Sequence, residues 1–238
     1  MKTLEQLKVK IFADGADLEG MLEFYKNPYI KGFTTNPTLM RASGIIDYEK
    51  FAKQVLERIP DRPISFEVFS DEFDEMERQA RKIFAWGKNV FVKIPVTNTR
   101  SGSSISLIRR LALEGIQLNV TALMTPEQVG VISPVLGSHA PSYISIFAGR
   151  VADTGRDPMP IMKKAVEIMA DFPNQELIWA SPRELLNIFQ ADEVGCHVIT
   201  VTHDVLKKLP LVGKNLDEFS LDTVKMFYTD AQKARYSL

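Results

Sequence analysis

Lys93 lies within Val90–Pro95, an apolar run of strand-forming residues that contains one charged side chain. Burial of such a run removes water from the amine and favours its neutral form. A neutral amine is a nucleophile toward carbonyl carbons, with which it forms a Schiff base. The alternative is a structural lysine that pairs with a carboxylate inside the fold, such as Asp14 or Glu67. Position along the chain does not by itself separate these two roles.

Most of the other apolar runs end in polar residues whose types suit acid–base chemistry on a carbonyl compound. Asp14 and Glu67 supply carboxylates, which act as general acids and bases. Asn119 and Thr121 are two residues apart, so a strand places them on one face. The remaining polar residues at these ends are Asn36, Ser145, Arg150, Ser181 and Arg183.

Several of these residues also have a purely structural interpretation. Asp14 would serve as a helix N-cap, Asn36-Pro37 as ordinary turn chemistry, and Asn119 as a bridge between strands. Function is favoured because one lysine, two carboxylates and two amides share the same ends, with no histidine among them. The three histidines of the chain lack the spacing of metal ligands, so we expect no metal site.

The elements that must position these residues alternate between short apolar runs and helical patterns. Alternation of this kind predicts parallel strands joined by helical crossovers. Eight such units predict an α/β fold, a single (β/α)8 TIM barrel over residues 1–238 with a C-terminal helical arm at about 214–238. An open doubly wound sheet is disfavoured, because no Gly-x-Gly-x-x-Gly follows the first strand. The predicted strands are Val9–Ala13, Gly32–Thr35, Ile64–Phe69, Val90–Pro95, Ile116–Ala122, Tyr143–Phe147, Leu177–Ala180 and His197–Thr202.

Helix patterns and caps add detail to this prediction. Apolar spacing predicts helices over Asp71–Trp86 and Ile161–Phe172. Thr125-Pro126 and Ser181-Pro182 each have the N-cap and first-turn signature of a helix start. A last helix is expected from Ser220 toward Arg235. Its apolar stripe either packs on the barrel as the eighth outer helix or contacts a neighbouring subunit; the stripe comprises Leu221, Val224, Phe227, Tyr228 and Ala231.

Arg150 and Arg183 follow adjacent predicted strands and are candidates for a phosphate clamp. A guanidinium group binds phosphate through two parallel hydrogen bonds. The helix expected to open at Ser181 would add backbone N–H donors. We therefore predict anion binding at this edge of the barrel.

Composition excludes several classes of protein. The formal net charge is −1, with 29 basic and 30 acidic residues, so nucleic acid and anionic membranes are not expected partners. Cys196 is the one cysteine, which excludes an internal disulfide. With no signal-like N-terminus and no long apolar segment, a cytoplasmic protein is predicted.

Together these residues resemble the small transaldolase subfamily, which also contains fructose-6-phosphate aldolase. The resemblance extends through essentially the whole chain. Its most specific segments are Thr34-Thr35-Asn36-Pro37 and Val92-Lys93-Ile94-Pro95, in this order and spacing. The supporting segments are Phe12–Glu19, Asn119-Val120-Thr121, Ser145–Arg150 and Ala180–Arg183.

This resemblance implies a Schiff-base lysine at Lys93 and an enzyme of sugar-phosphate metabolism that uses no metal or organic cofactor. Such enzymes transfer a dihydroxyacetone unit from a ketose phosphate to an aldose phosphate, a reaction of the pentose phosphate pathway. The catalytic set would be Lys93, Asp14, Glu67 and Thr121. Asn36, Asn119, Ser145 and Phe147 would bind the substrate, and Arg150, Ser181 and Arg183 its phosphate. Homo-oligomers, pentamers or decamers, are expected by the same resemblance.

Two other functions compete with transfer. One is aldol cleavage of fructose 6-phosphate, and the other is non-catalytic binding of a sugar phosphate. Aldolases of the family tend to have Gln at the position of Glu67 and Tyr at that of Phe147, which favours transfer here. Binding alone would need no lysine in an apolar strand, which favours catalysis. Departures from the common family pattern at Gly15, Asp17, Ile146 and Thr202-His203 change the shape of the pocket and leave the preferred sugars open.

Overall fold

The computed structural model describes residues 2–236 and closes eight parallel strands into a barrel, in chain order. The predicted (β/α)8 TIM barrel is thereby confirmed. Met1, Ser237 and Leu238 of the predicted domain lie outside the described residues. The strands are β1 (Lys10–Asp14), β2 (Ile30–Thr34), β3 (Ile64–Glu67), β4 (Val90–Pro95), β5 (Leu118–Leu123), β6 (Ser142–Ile146), β7 (Gln175–Trp179) and β8 (Val198–Thr202).

Helices follow each strand and cover the outside of the barrel. The helices are α1 (Leu18–Tyr25), α2 (Pro37–Ala42), α3 (Tyr48–Arg58), α4 (Phe73–Phe84), α5 (Ile105–Leu113), α6 (Pro126–Leu136), α7 (Ala148–Ala152), α8 (Met159–Met169), α9 (Leu186–Glu193), α10 (His203–Leu206) and α11 (Leu216–Ala234). Short 3-10 turns occupy Leu4–Gln6 and Leu209–Leu211. No helix among residues 2–236 has the length and apolar content needed to cross a membrane.

The helix predicted to open at Ser181 does not form there. Ser181 has a φ of 61°, in the left-handed region, and α9 begins only at Leu186. The cause is a close crossing of two backbones, because a Cβ on Gly149 would lie 1.5 Å from the Ser181 carbonyl oxygen. The segment after β7 therefore folds over α7 before its helix starts. By contrast, Thr125 caps α6 as predicted and accepts a hydrogen bond from the Gln128 N–H.

Two apolar cores hold the barrel together. The larger core lies between the strands and the outer helices. The smaller core fills the inside of the barrel, with Phe12 packed edge-on against Tyr143 at 5.7 Å between ring centroids. Gly32 makes this possible, since a Cβ there would lie 2.6 Å from the Phe12 ring. The members of the inner core are Phe12, Phe91, Tyr143, Ile178, Ala180 and Val198.

The last helix, α11, stands apart from the barrel. It begins earlier than the predicted Ser220, because Asn215 caps it by accepting from the Asp217 and Glu218 N–H groups. None of its residues is buried. Phe227 and Tyr228 are 64% and 67% exposed. The interpretation of α11 as the eighth outer helix of its own barrel is therefore wrong.

Candidate active site

A polar layer lies inside the barrel, directly above the inner apolar core. Strand alternation produces much of this layer, since on β1, β4, β6 and β8 an inward-facing apolar residue is followed, two positions later, by a polar one. Phe12 is followed in this way by Asp14, and Phe91 by Lys93. The polar members are Asp14, Thr34, Ser65, Glu67, Lys93, Asn119, Thr121, Ser145 and Thr200.

Lys93 is buried, 6% exposed, and its ammonium is held by two groups. The Lys93 Nζ atom lies 3.0 Å from Glu67 Oε2, and it donates to the carbonyl oxygen of Thr35 at 3.0 Å. Strand register produces the first contact, because Glu67 of β3 pairs with Lys93 of β4. Both contacts stabilise the charged amine, which opposes the effect of burial that the sequence suggested. The ion pair with Glu67 is compatible with a structural role and with a catalytic one.

Asp14 ends β1 and is not the N-cap of the following helix, a position that Asp17 occupies. The Thr34 hydroxyl donates to Asp14 Oδ1 at 2.7 Å and also contacts the Thr200 hydroxyl at 2.5 Å. Burial has the largest effect on the Asp14 carboxyl and raises its pKa, while Lys93 and the Thr34 hydroxyl act in the opposite direction. A carboxyl of this kind exchanges protons more readily near neutral pH than an exposed aspartate.

Asn119 connects three strands across the polar layer. Its amide donates to the Ser65 hydroxyl at 3.0 Å and accepts from the Ser145 hydroxyl at 2.7 Å. The structural role considered for Asn119 is thus present, and it also fixes the amide inside the barrel. The Thr121 hydroxyl is buried and has no hydrogen-bond partner among residues 2–236. Its hydrogen-bonding capacity is thus unused among these residues.

Asn36 and Phe147 lie where their strands turn into helices. Asn36 caps α2, and its Oδ1 accepts from the Leu39 N–H at 3.0 Å. Capping of α2 thus uses the oxygen of the Asn36 amide, and the amide nitrogen remains available for another hydrogen bond. Phe147 is half-buried against the inner core, and the Arg150 guanidinium lies 5.7 Å from the centre of its ring.

The phosphate-clamp residues come together, although without the predicted helix. The Arg183 guanidinium donates to both Ser181 O and Ser181 Oγ, at 3.1 and 3.0 Å. It also forms a two-pronged ion pair with Asp153, whose pKa is lowered by these hydrogen bonds. Arg150 is exposed and has no salt bridge within the described part of the chain. An anion bound here would therefore meet side-chain donors rather than a helix terminus.

His203 lies outside the polar layer. Its ring packs against Phe24 at 4.6 Å between centroids and lines a cleft of about 750 Å³ beside α1. Burial lowers the pKa of His203. The cleft is lined by charges of both signs, and none of its lining residues belongs to the polar layer. The cleft is thus separate from the polar layer.

Sequence patterns missed several groups that shape the site. Thr34 and Thr200 lie two residues after inward-facing Gly32 and Val198, so strand alternation alone contained the signal. The Thr35 carbonyl had no signal, because any residue offers that group. Asp153 follows Arg150 by three positions, but its pairing with Arg183 depends on how the two loops cross.

We predict that replacing Thr34 by valine raises the pKa of Asp14. The carboxylate loses an O–H donor that stabilises its charged form, so the acid form persists to higher pH. Titration of the Asp14 carboxyl carbon by 13C NMR measures the change. Thr200→Val is the matched control, because its hydroxyl contacts Thr34 and not Asp14. Identical Asp14 titrations in the wild type and Thr34→Val would contradict the assigned contact.

Comparison with known proteins agrees with the barrel fold. A barrel of similar fold is dihydrodipicolinate synthase from Rhodopseudomonas palustris, with a TM-score of 0.57, 15% identity, and coverage of 93% of this chain and 80% of that one. This likeness concerns the fold alone.

Relatives in sequence are more informative. A protein named probable transaldolase from Dehalococcoides mccartyi is 32% identical over 218 residues, covering 90% of this chain and 97% of that protein. A second probable transaldolase, from Thermoplasma volcanium, is 34% identical over 224 residues, covering 92% and 96%. The family model described as Transaldolase/Fructose-6-phosphate aldolase matches residues 11–238. The chain therefore belongs to the transaldolase/fructose-6-phosphate aldolase family of enzymes.

Proposed function

We propose that this protein is a Schiff-base transaldolase that moves a dihydroxyacetone unit from a ketose phosphate to an aldose phosphate. The observation that carries the proposal is the buried Lys93 amine, 3.0 Å from the Glu67 carboxylate and in the same polar layer as Asp14. A cytoplasmic enzyme of carbohydrate metabolism is the setting that we infer.

Imine formation begins the proposed cycle. The Lys93 ammonium gives a proton to the neighbouring Glu67 carboxylate, and the neutral amine then attacks the ketose carbonyl carbon. The resulting carbinolamine loses water to give a protonated imine. Glu67, next to the amine, carries the protons that this dehydration needs, through a water molecule held with the Thr121 hydroxyl. The unpartnered Thr121 oxygen supports that assignment.

Carbon–carbon cleavage and bond formation use the second carboxylate. Asp14 takes the proton from the hydroxyl beside the breaking bond, and the bonding electrons move into the imine to give an enamine on Lys93. The donor aldehyde leaves and the acceptor aldehyde enters. The enamine carbon then attacks the new carbonyl, Asp14 returns a proton to its oxygen, and water releases the product from the lysine.

Substrate orientation and phosphate binding complete the proposal. Asn36, Asn119 and Ser145 would orient the hydroxyls of the three-carbon unit, since fixed hydrogen bonds hold the reacting atoms in place. Arg150, Ser181 and Arg183 would bind the phosphate at the opposite end of the sugar. A guanidinium already held against Ser181 supports this placement.

Transfer is favoured over simple cleavage by the apolar ring of Phe147. An enamine survives until the acceptor arrives only if water does not protonate it first. A phenylalanine at the rim of the inner core offers no hydroxyl to hold such a water. Glu67, in place of an amide, supports the same choice.

We predict that borohydride traps fructose 6-phosphate on one peptide, the one containing Lys93. Lys93→Ala should abolish the adduct and reduce turnover by about a thousandfold or more. Mass mapping of the reduced protein measures the adduct. Lys93→Arg is the matched variant, because it keeps a cation beside Glu67 but forms no stable imine. Undiminished labelling of Lys93→Ala would contradict the proposal.

We predict that Phe147→Tyr shifts the enzyme toward aldol cleavage. The added hydroxyl would place a water or proton close to the enamine, raising the ratio of released dihydroxyacetone to transferred product by roughly tenfold. Product partitioning with a fixed acceptor measures this ratio. Phe147→Leu is the control, since it alters the ring without adding a hydroxyl. An unchanged ratio in Phe147→Tyr would count against Phe147 lying in the pocket.

We also propose that the protein is a homo-oligomer, a pentamer or decamer, in which α11 packs on a neighbouring copy. Leu221, Val224, Phe227 and Tyr228 form a stripe along α11 and are 53–67% exposed. An apolar surface of this extent is unusual on a monomer and is typical of an interface.

We predict that truncation after Gly213 lowers the particle mass in light scattering. The barrel should remain folded by circular dichroism, because α11 contributes no buried residue to it. Phe227→Asp should act in the same direction, whereas Lys225→Asp, an exposed residue outside the stripe, should leave the mass unchanged. A full-length protein that scatters as a monomer would contradict the assembly.

A further inference from the structure

The hydrogen-bond ladder between β2 and β3 stops one step before Glu67. The Phe33 N–H donates to the Pro63 carbonyl, and the Thr35 N–H donates to the Ser65 carbonyl. In a parallel ladder this pattern repeats every two residues. The next bonds would run from the Glu67 N–H to the Thr35 carbonyl, and from the residue-37 N–H to the Glu67 carbonyl.

Neither of these continuing bonds is made. The Thr35 carbonyl accepts from Lys93 Nζ instead, at 3.0 Å. Residue 37 is Pro37, which has no N–H to donate. The backbone of Glu67 therefore needs a donor and an acceptor from elsewhere, since unpaired buried backbone groups are costly.

The Tyr48 hydroxyl supplies both. The Glu67 N–H donates to Tyr48 Oη at 2.8 Å, and the Tyr48 O–H donates to the Glu67 carbonyl at 2.9 Å. One side-chain oxygen thus takes the place of the missing strand neighbour on the β2 side. On the other side, the Val68 N–H donates to the Lys93 carbonyl at 3.1 Å and maintains the pairing of β3 with β4.

Tyr48 itself is firmly held. It is the first residue of α3, directly after the Asp47 cap. Its ring packs on Phe66, Phe69 and Trp86, with centroid distances of 6.3, 5.5 and 5.7 Å. Burial raises the pKa of the Tyr48 phenol, so the O–H stays protonated and able to donate at neutral pH.

We propose that Tyr48 is a positioning residue for the Lys93–Glu67 pair. By bonding both backbone groups of Glu67, its hydroxyl fixes that carboxylate beside the amine and leaves the Thr35 carbonyl free to hold Lys93. This inference rests on the proposed Schiff-base function, because the pair is what dehydrates the carbinolamine. Tyr48 does not touch the substrate; it acts through Glu67.

The test compares Tyr48→Phe in two backgrounds. Quenched-flow trapping with fructose 6-phosphate and borohydride measures the rate of imine formation. In the wild-type background we expect about a tenfold slower rate, because both hydrogen bonds to the Glu67 backbone are lost, with the KM of the acceptor unchanged. In a Glu67→Gln background, Tyr48→Phe should slow imine formation by less than twofold, because the carboxylate that it positions is already gone. Equal losses in both backgrounds, or no loss in either, would overturn the proposal.

Trp86→Phe is the matched control, since it alters the same aromatic cluster and leaves the hydroxyl of Tyr48 in place. Its rate should stay within twofold of the wild type. A second measurement needs no activity: hydrogen–deuterium exchange of the peptide containing Glu67 should accelerate about tenfold in Tyr48→Phe. If wild-type Lys93 is never trapped, the proposed function fails, and the exchange at Glu67 still decides whether Tyr48 holds that backbone. Unchanged exchange would overturn the role of Tyr48 by itself.

Discussion

An ammonium group inside a parallel barrel is stable only if charge and hydrogen bonds replace the water that it loses, because an unpaired buried ion costs several kcal/mol. Lys93 has both, from the Glu67 carboxylate and the Thr35 carbonyl. Strand register sets the first partner. The second is available because β2 stops pairing with β3 after Thr35, which leaves the Thr35 carbonyl to accept from Lys93. The turn at Asn36-Pro37, which stops the β2–β3 ladder, is therefore as much a part of the lysine site as the lysine itself.

Chemistry and stability occupy successive layers of the same barrel. The lower layer is a packed apolar plug, in which Gly32 leaves room for the ring of Phe12. Two positions further along β1, β4, β6 and β8, carboxylate, amine and hydroxyl groups replace the apolar ones. The apolar core thus closes the bottom of the polar layer. Because every strand crosses both layers, a shift of register in one strand would move an apolar residue into the polar layer.

Sequence patterns predicted the fold and most of the polar layer, because parallel strands have a period of two and their ends share one rim. Lys93, Asn119 and Thr121 lie where alternation placed them. Contacts that depend on loop geometry were not predictable in this way. The helix expected at Ser181 fails because the backbone must clear Gly149, a close approach that no local propensity encodes. Tyr48 is another such case. Its role depends on the backbone of Glu67, 19 residues away, where the hydrogen bonds between β2 and β3 are not continued.

The two carboxylates are held in different ways, and their proposed roles follow from the difference. Glu67 is paired with the lysine directly, so in the proposed cycle it lies where protons would move as the amine becomes an imine. Asp14 has no salt bridge within residues 2–236, is anchored by the Thr34 hydroxyl, and has a pKa raised by burial. In the proposed cycle it would exchange a proton with a substrate hydroxyl, while Glu67 stays beside the lysine. Separate environments for two acids would let one site perform imine chemistry and aldol chemistry in turn.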